Sequence, residues 1–296
     1  MSENNLIRIG TRGSDLALWQ ANHVKRQLEQ LGCAVEITII QTQGDRIQDL
    51  SFDKLEGKGF FTKEIEAALL NESVDLAVHS HKDLETNQPE GLKIIAVSDR
   101  EDPSELLLIH PRAFVANQKW GLRENAVIGT SSARRKSQIL ALRPDLTIKD
   151  LRGNVPTRIQ KLRDGNYDAI LLAKAGVNRL NLDLSDLNVL VLNPLEFVPA
   201  PAQGVLGLQI RANDTRTAQY VSQLNDAETA MKINLERAVL QKMEGGCQLP
   251  LGVYNDGENV HIAYAKNANE ASQYFHLHFS SEDNLADQIV AQLKSL

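Results

Sequence analysis

Leu6-Ile7-Arg8-Ile9-Gly10-Thr11-Arg12-Gly13-Ser14 is answered far downstream by Ala126-Val127-Ile128-Gly129-Thr130-Ser131-Ser132, and the pairing of these two stretches decides the fold. Each is a short apolar strand handing over through Gly-Thr-x-x to a serine at a helix start. The first helix carries Leu16, Trp19, Val24 and Leu28 toward a core, and the second carries Ile139 and Leu140. The later elements also repeat. Strand Val35 to Ile40 corresponds to Leu146 to Ile148, and helix Thr62 to Leu70 to Pro156 to Leu162. A short apolar strand opened by Asp75 or Asp168 closes each half. Both halves read β-α-β-α-β, which predicts parallel sheets covered by helices, with ligands at the carboxyl ends of the strands. The loops there are 11–14, 42–61, 79–83, 130–135, 152–156 and 173–179. Two such lobes facing each other make a cleft that holds something, with the chemistry left to the side chains.

Beyond Pro194 the pattern changes. Pro199-Ala200-Pro201-Ala202-Gln203-Gly204 leads into Val205-Leu206-Gly207-Leu208, which reads as a crossing back from the second lobe to the first. A helix from Ala227 to Lys242 precedes Glu244-Gly245-Gly246-Cys247, and strands follow near Leu249 to Tyr254, Val260 to Ala265 and Tyr274 to Phe279. Asn255-Asp256-Gly257 supplies the first hairpin turn, and Leu285, Ile289, Val290 and Leu293 mark a final helix. The 296 residues, 42% hydrophobic and 24% charged, suit a globular chain of two or three domains. Thirty-eight acidic against 32 basic residues give a net charge of −6, so no global positive field draws the chain to nucleic acid or anionic lipid. The polar start Met1-Ser2-Glu3-Asn4-Asn5 lacks the form of a signal peptide, and no apolar run reaches bilayer length, so a cytoplasmic protein is expected. Two cysteines, Cys33 and Cys247, exclude a disulfide framework.

The basic residues concentrate at the loops. Arg12, Lys82, Arg134, Arg135, Arg152, Arg158 and Arg179 fall on them or on the first turns after them. Singly, each reads as a solvated surface charge. Together in a water-poor cleft, guanidinium groups repel unless anions join them, and their planar forks suit carboxylates or phosphates, so a ligand with several such groups is expected. Ser14 and Ser132 add free backbone N–H groups at helix starts, although ordinary capping explains either one alone. Asp83 is the carboxylate within His79-Ser80-His81-Lys82-Asp83; it reads either as an ionised group that steadies a developing cation or as a salt-bridge partner. His79 and His81 lack a third ligand, so no metal is expected. Cys247 follows two glycines and can reach out of its domain, whereas Cys33 reads as a small buried apolar residue. Glu56-Gly57-Lys58-Gly59-Phe60-Phe61 is a glycine-spaced basic loop without the Gly-Lys-Ser/Thr closure of a nucleotide loop.

In this order, Thr11-Arg12-x-Ser14-x-Leu16-Ala17-Leu18-Trp19-Gln20, Gly57-Lys58-Gly59-x-Phe61, His79-Ser80-x-Lys82-Asp83, Gly129-Thr130-Ser131-Ser132-x-Arg134-Arg135, Leu151-Arg152-Gly153-Asn154-Val155-x-Thr157-Arg158 and Glu244-Gly245-Gly246-Cys247-Gln248-x-Pro250 resemble the hydroxymethylbilane synthase (porphobilinogen deaminase) family over nearly the whole chain. The resemblance implies an α/β fold of two similar periplasmic-binding-protein-like β-α-β lobes plus a small C-terminal α+β domain with a three-stranded antiparallel sheet. The implied domains are 1–100 with 198–218, then 104–194, then 222–296, the last carrying the cofactor cysteine. It further implies a dipyrromethane cofactor joined by a thioether to Cys247, porphobilinogen as substrate, and a monomer.

By the same resemblance, Asp83, Lys82 and Arg12 match catalytic positions. Ser14, Lys82, Asp83, Thr130, Ser131, Ser132, Arg134, Arg135 and Arg158 match positions that hold the cofactor, and Arg12, Arg152, Arg158, Arg179 and Phe61 positions that meet substrate. Porphobilinogen carries an acetate and a propionate, which is the repeated carboxylate that the arginine cluster calls for. Four units would be joined head to tail with loss of ammonia, Asp83 stabilising each transient cation, before water releases the linear tetrapyrrole. Gly57 and Gly59 would act as hinges and Phe61 would stack on a pyrrole. His81 stands where many members have methionine, Glu85 replaces a frequent proline, and Pro201-Ala202-Gln203-Gly204 varies a Val-Gly-Gln-Gly type segment. A non-enzymatic two-lobed anion-binding protein shares the repeat and the basic loops but gives Cys247 and Asp83 no task. A phosphate-ester transferase lacks its phosphate loop and magnesium carboxylates.

Overall fold

Strand β1 (Leu6–Thr11) buries Ile7 and Ile9 and runs parallel to β2 (Ala34–Ile39) on one side and β3 (Leu76–Ser80) on the other. The computed structural model describes residues 5–43, 62–246, 248–279 and 284–296. Helix α1 (Asp15–Gln30) begins at Ser14, whose hydroxyl accepts the Ala17 N–H at 3.4 Å. Its buried stripe is Gln20, Ala21, Val24 and Leu28, packed under the sheet with Ile7, Ile9, Val35, Leu76 and Val78. Each fully buried aliphatic side chain there contributes roughly 2 kcal/mol of transfer free energy. The expectation that Leu16 and Trp19 face the core is corrected: at helical spacing they flank that stripe and stay half-buried, and Trp19 stacks on His23 one turn on, ring centres 5.0 Å apart. Helix α2 (Lys63–Leu70) and strand β4 (Leu92–Val97) complete the first half of the chain.

The second lobe repeats the plan. Strand β5 (Glu105–Ile109) enters it, and β6 (Val127–Gly129) is followed by α3 (Ala133–Leu142), β7 (Thr147–Lys149), α4 (Val155–Arg163), β8 (Ala169–Ala173), α5 (Lys174–Leu180) and β9 (Asn188–Leu192). The predicted pairing of Asp75 with Asp168 acquires a physical meaning. In each lobe this aspartate exchanges two bonds with the first strand: Arg8 N–H donates to Asp75 Oδ2 at 3.0 Å and Val127 N–H to Asp168 Oδ2 at 2.8 Å, while the aspartate N–H donates back to the Arg8 or Val127 carbonyl. Both carboxylates are buried and held by arginines, Asp75 by Arg8 and Arg211, Asp168 by Arg123 and Arg112. Burial alone would raise Asp75; the guanidinium and amide of Arg8, with Arg211, outweigh it and hold the carboxyl at about 2.

The expectation of parallel sheets is also corrected. The first sheet has the order β2-β1-β3-β10-β4, where β10 (Leu206–Arg211) runs antiparallel to both neighbours, and the second has the order β7-β6-β8-β5-β9, with β5 antiparallel to β8 and β9. In both sheets the reversed strand is the one the chain forms just after leaving the other half. A strand entering from the loop edge has to start at the carboxyl ends of its neighbours, so it runs against them. Residues 5–43, 62–101 and 204–231 form one compact unit, and 102–203 with the described residues from 232 onward form the other. Gly204, where the chain re-enters the first unit, has φ +92°, and a Cβ there would lie 2.2 Å from the Glu101 carbonyl oxygen, so only glycine fits. Ala202 is fully buried at φ +60°, a conformation costing a non-glycine residue about 1–2 kcal/mol. It is held there by its N–H, which donates to Glu236 Oε2 at 2.7 Å.

After α6 (Thr215–Val221) in the first unit, α7 (Ala227–Lys242) leads into the antiparallel sheet β11 (Leu251–Asn255), β12 (Asn259–Tyr264) and β13 (Gln273–His278), with α8 (Leu285–Ser295) on its apolar face. Gly257 sits at φ +105° in the expected hairpin turn, its N–H donating to Asn255 Oδ1 at 2.9 Å. Within the second unit this sheet is tied to α3 through Ser272, whose N–H donates to the Ser137 carbonyl at 3.0 Å, and to α7 through the Asn255 N–H, which reaches Glu236 Oε1 at 2.9 Å.

Candidate functional site

In the first unit, β3 ends in the 3-10 turn His81–Asp83 at the sheet's carboxyl edge. The turn is pinned on both sides. Gln20 Nε2 donates to Ser80 Oγ at 2.9 Å, the His81 N–H donates to the Val205 carbonyl at 2.9 Å, and Leu84 is buried behind it. Asp83 is left exposed, with no side-chain partner among the described residues, so the salt-bridge reading of this carboxylate is not realised. Lys82 beside it, Arg12 at the end of β1 and Ser14 at the α1 cap are half-buried. The lone pairs of Ser14 are partly used in capping, which is the ordinary role of a serine at that place.

His79 belongs to a buried side-chain network. Its imidazole is buried, and Nε2 donates to Gln209 Oε1 at 3.1 Å; Gln209 Nε2 in turn donates to Gln88 Oε1 at 2.8 Å and Glu66 Oε1 at 3.3 Å. Burial holds His79 down to about 4 from 6.5, although the Gln209 bond opposes the shift. The unfolded chain therefore takes up a proton that the folded chain refuses. That linkage makes stability fall as pH drops from about 6.5 toward 4, by at most about 1.4 kcal/mol per pH unit, and level off below. Thermal unfolding of the wild-type protein and a His79→Asn variant across pH 7 to 4 is expected to show the variant losing less stability than wild type over that interval; parallel profiles would refute the assignment.

In the second unit, the hydroxyl residues are wired to the backbone. Thr130 Oγ1 accepts the Ser132 N–H at 3.2 Å, Ser131 Oγ donates to the Leu151 carbonyl and accepts the Leu151 N–H, each at 3.0 Å, and Ser132 caps α3 through the Arg135 N–H. Ser131 thereby ties the 130–132 loop to the loop carrying Arg152, which is half-buried. Arg158, on the first turn of α4, donates from Nε to the Gly153 carbonyl at 2.7 Å. Arg179 departs from expectation: it lies on the last turn of α5 and is buried, because a helix starts directly after β8 where a loop was foreseen.

Arg134 and Arg135 open α3 and are both buried, with 5% and 6% of their surface exposed. The anion that joins them comes from the chain. Glu105, fully buried at the start of β5, accepts from Arg134 Nη2 through Oε1 at 2.5 Å and from Arg135 Nη2 through Oε2 at 2.7 Å. For this pair, then, part of the anionic partnership expected of a ligand is supplied from within the chain. Arg134 Nη1 also donates to the Val198 carbonyl at 2.8 Å and Arg135 Nη1 to the Leu171 carbonyl at 3.0 Å, while Arg135 Nε is buried with no hydrogen-bond partner among the described residues. One carboxylate against two guanidiniums leaves one positive charge, and the donor set of hydroxyls, amides and guanidiniums suits carboxylates rather than a metal. Sequence reading missed Glu105, whose one signal is a carboxylate directly ahead of the apolar run Leu106-Leu107-Leu108-Ile109.

Phe61, Gly57, Gly59 and Cys247 lie outside the described residues. The chain on either side of position 247 is described: Gly246 and Gln248 line a depression of about 370 Å³ with Glu244, Leu249, Pro250 and Lys266.

Residues 7–219 match the family model described as porphobilinogen deaminase, dipyromethane cofactor binding domain, and residues 230–275 match that described as porphobilinogen deaminase, C-terminal domain. A porphobilinogen deaminase of Sulfurimonas denitrificans is 47% identical over 247 residues, covering 83% of this chain and 77% of that protein, and one of Nitratiruptor is 46% identical over the same shares. Among solved structures, the periplasmic VFT2 domain of Bordetella pertussis BvgS aligns with a TM-score of 0.45 at 11% identity, covering 77% of this chain and 92% of that domain. An arginine-specific periplasmic binding protein of Salmonella typhimurium aligns at 0.42 and 12%, covering 81% and 98%.

Proposed function

The chain belongs to the porphobilinogen deaminase family, and from that membership we propose that it condenses four porphobilinogen molecules head to tail, with loss of ammonia, into the linear tetrapyrrole hydroxymethylbilane. The observation that carries this reading is the family match over residues 7–219. Asp83, exposed and without a side-chain partner among the described residues, and the cationic edge of each sheet are consistent with it. A non-enzymatic anion-binding protein would leave that carboxylate without a task.

The dipyrromethane cofactor of this family supplies, when bound, the free pyrrole α-carbon on which the product grows. We assign its tether to Cys247. Its carboxylates fall to Ser14, Lys82, Thr130, Ser131, Ser132, Arg134, Arg135 and Arg158, and those of incoming substrate to Arg12, Arg152, Arg158 and Arg179, with Phe61 against a ring. Arg135 Nε, without a hydrogen-bond partner among the described residues, and the two guanidiniums facing one carboxylate support a carboxylate-binding role in the second unit.

Ammonia leaves the substrate's aminomethyl carbon with the bonding electron pair, so positive charge spreads into the pyrrole ring and onto its N–H. Asp83 accepts that N–H bond and lowers the energy of the cation. Its carboxylate is also the base for the proton that has to leave after each condensation, with Arg12 holding the substrate's acidic arms and Lys82, next in the chain, those of the cofactor. The proposed domains are 1–100 with 198–218, 104–194, and 222–296. We further propose a cytoplasmic monomer that does not engage nucleic acid, in keeping with the net charge of −6. No described helix is long and apolar enough to cross a membrane.

Incubation of the purified protein with porphobilinogen, followed by acid oxidation, is expected to give a porphyrin absorption that grows with enzyme and time. Undiminished porphobilinogen with no porphyrin would defeat the proposal.

A further inference from the structure

The antiparallel strand β5 brings Glu105 to the carboxyl edge of β6 and β8, beside the loops and helix starts that hold the second unit's cations. There its two oxygens are divided between two arginines of one helix turn, at 2.5 and 2.7 Å, and Oε1 also accepts Gln203 Nε2 at 3.2 Å. Gln203 is fixed independently by the Pro103 carbonyl at 2.7 Å. A fully buried carboxylate with this many donors sits in one orientation, and it transmits that orientation to both guanidinium planes. We propose that Glu105 is a positioning residue for the reaction: it aligns Arg134 and Arg135, and reduces their charge from two to one, so that the pair receives one pyrrole carboxylate. The inference rests on the assignment of Arg134 and Arg135 to carboxylate binding made above. The adjoining backbone carbonyls of Val198 and Leu171 fix the far ends of the guanidiniums but carry no full charge, so they cannot replace Glu105 as counter-ion.

The test is a cycle of Glu105→Gln, Glu105→Asp, Arg135→Gln and the corresponding double variants. Each is purified and read in two ways: the fraction of chains carrying the two-pyrrole adduct by intact-protein mass, and turnover of porphobilinogen per loaded chain. Glu105→Gln keeps the shape and removes the charge, and is expected to lower loading or turnover per loaded chain at least tenfold. Glu105→Asp keeps the charge, folds with the smaller change, and is expected to recover part of that loss. In the Arg135→Gln background, either Glu105 substitution is expected to add less than a twofold further loss, since Glu105 acts through the arginines. Full, independent losses in that background would overturn the inference and make Glu105 a structural residue only, as would wild-type loading and turnover in Glu105→Gln. Wild-type loading and turnover in Arg135→Gln would instead overturn the carboxylate-binding assignment for that arginine, and the inference with it.

Discussion

Replacing Cys247 with alanine is expected to abolish both the covalent adduct and turnover. A thioether needs the sulfur, and no other residue supplies one at this place: the other cysteine, Cys33, is buried in the core of the first unit with Ile7, Val24 and Val35. Burial raises the Cys33 thiol, which keeps it protonated and unreactive at neutral pH. Intact-protein mass spectrometry should show wild type heavier than its sequence by two pyrrole units and Cys247→Ala at its bare sequence mass. A wild-type protein of bare mass that nonetheless turns over porphobilinogen would end the cofactor assignment.

Asp83→Asn separates chemistry from assembly. The side chain is exposed and unpartnered among the described residues, so an isosteric amide should leave the fold intact, with a stability change within about 0.5 kcal/mol. The turn that carries it is held by Gln20, Val205 and Leu84, none of which the substitution touches. Only the negative charge is lost. If that charge stabilises the substrate cation, turnover should fall roughly 100-fold or more while the adduct persists. Turnover within a few-fold of wild type, measured per loaded chain, would make Asp83 a bystander.

Much of this architecture is legible in the sequence. The Gly-Thr-x-x-Ser handover marks both lobes because a strand followed by a capped helix is a local event, and Ser14 and Ser132 cap the helices they were expected to cap. The aspartates opening β3 and β8 could be paired by position, although their shared bond to the first strand appears only in three dimensions. The three strands of the last sheet fell within a residue or two of their expected places, since alternation and the Asn255-Asp256-Gly257 turn are read within a few residues.

By itself, then, the sequence determined the repeated half, the helix caps, the small final sheet, the residue types fit to hold carboxylates and the lone carboxylate among them. It did so because capping, turn formation and periodic burial depend on neighbours along the chain. The reversal of β5 and β10, the burial of Arg179 and the placing of Glu105 between Arg134 and Arg135 were decided by tertiary structure alone. Strand direction follows from where the chain enters a sheet, and a counter-ion follows from which strand ends meet at one edge. Both are set by contacts between distant residues, for which local periodicity carries no signal.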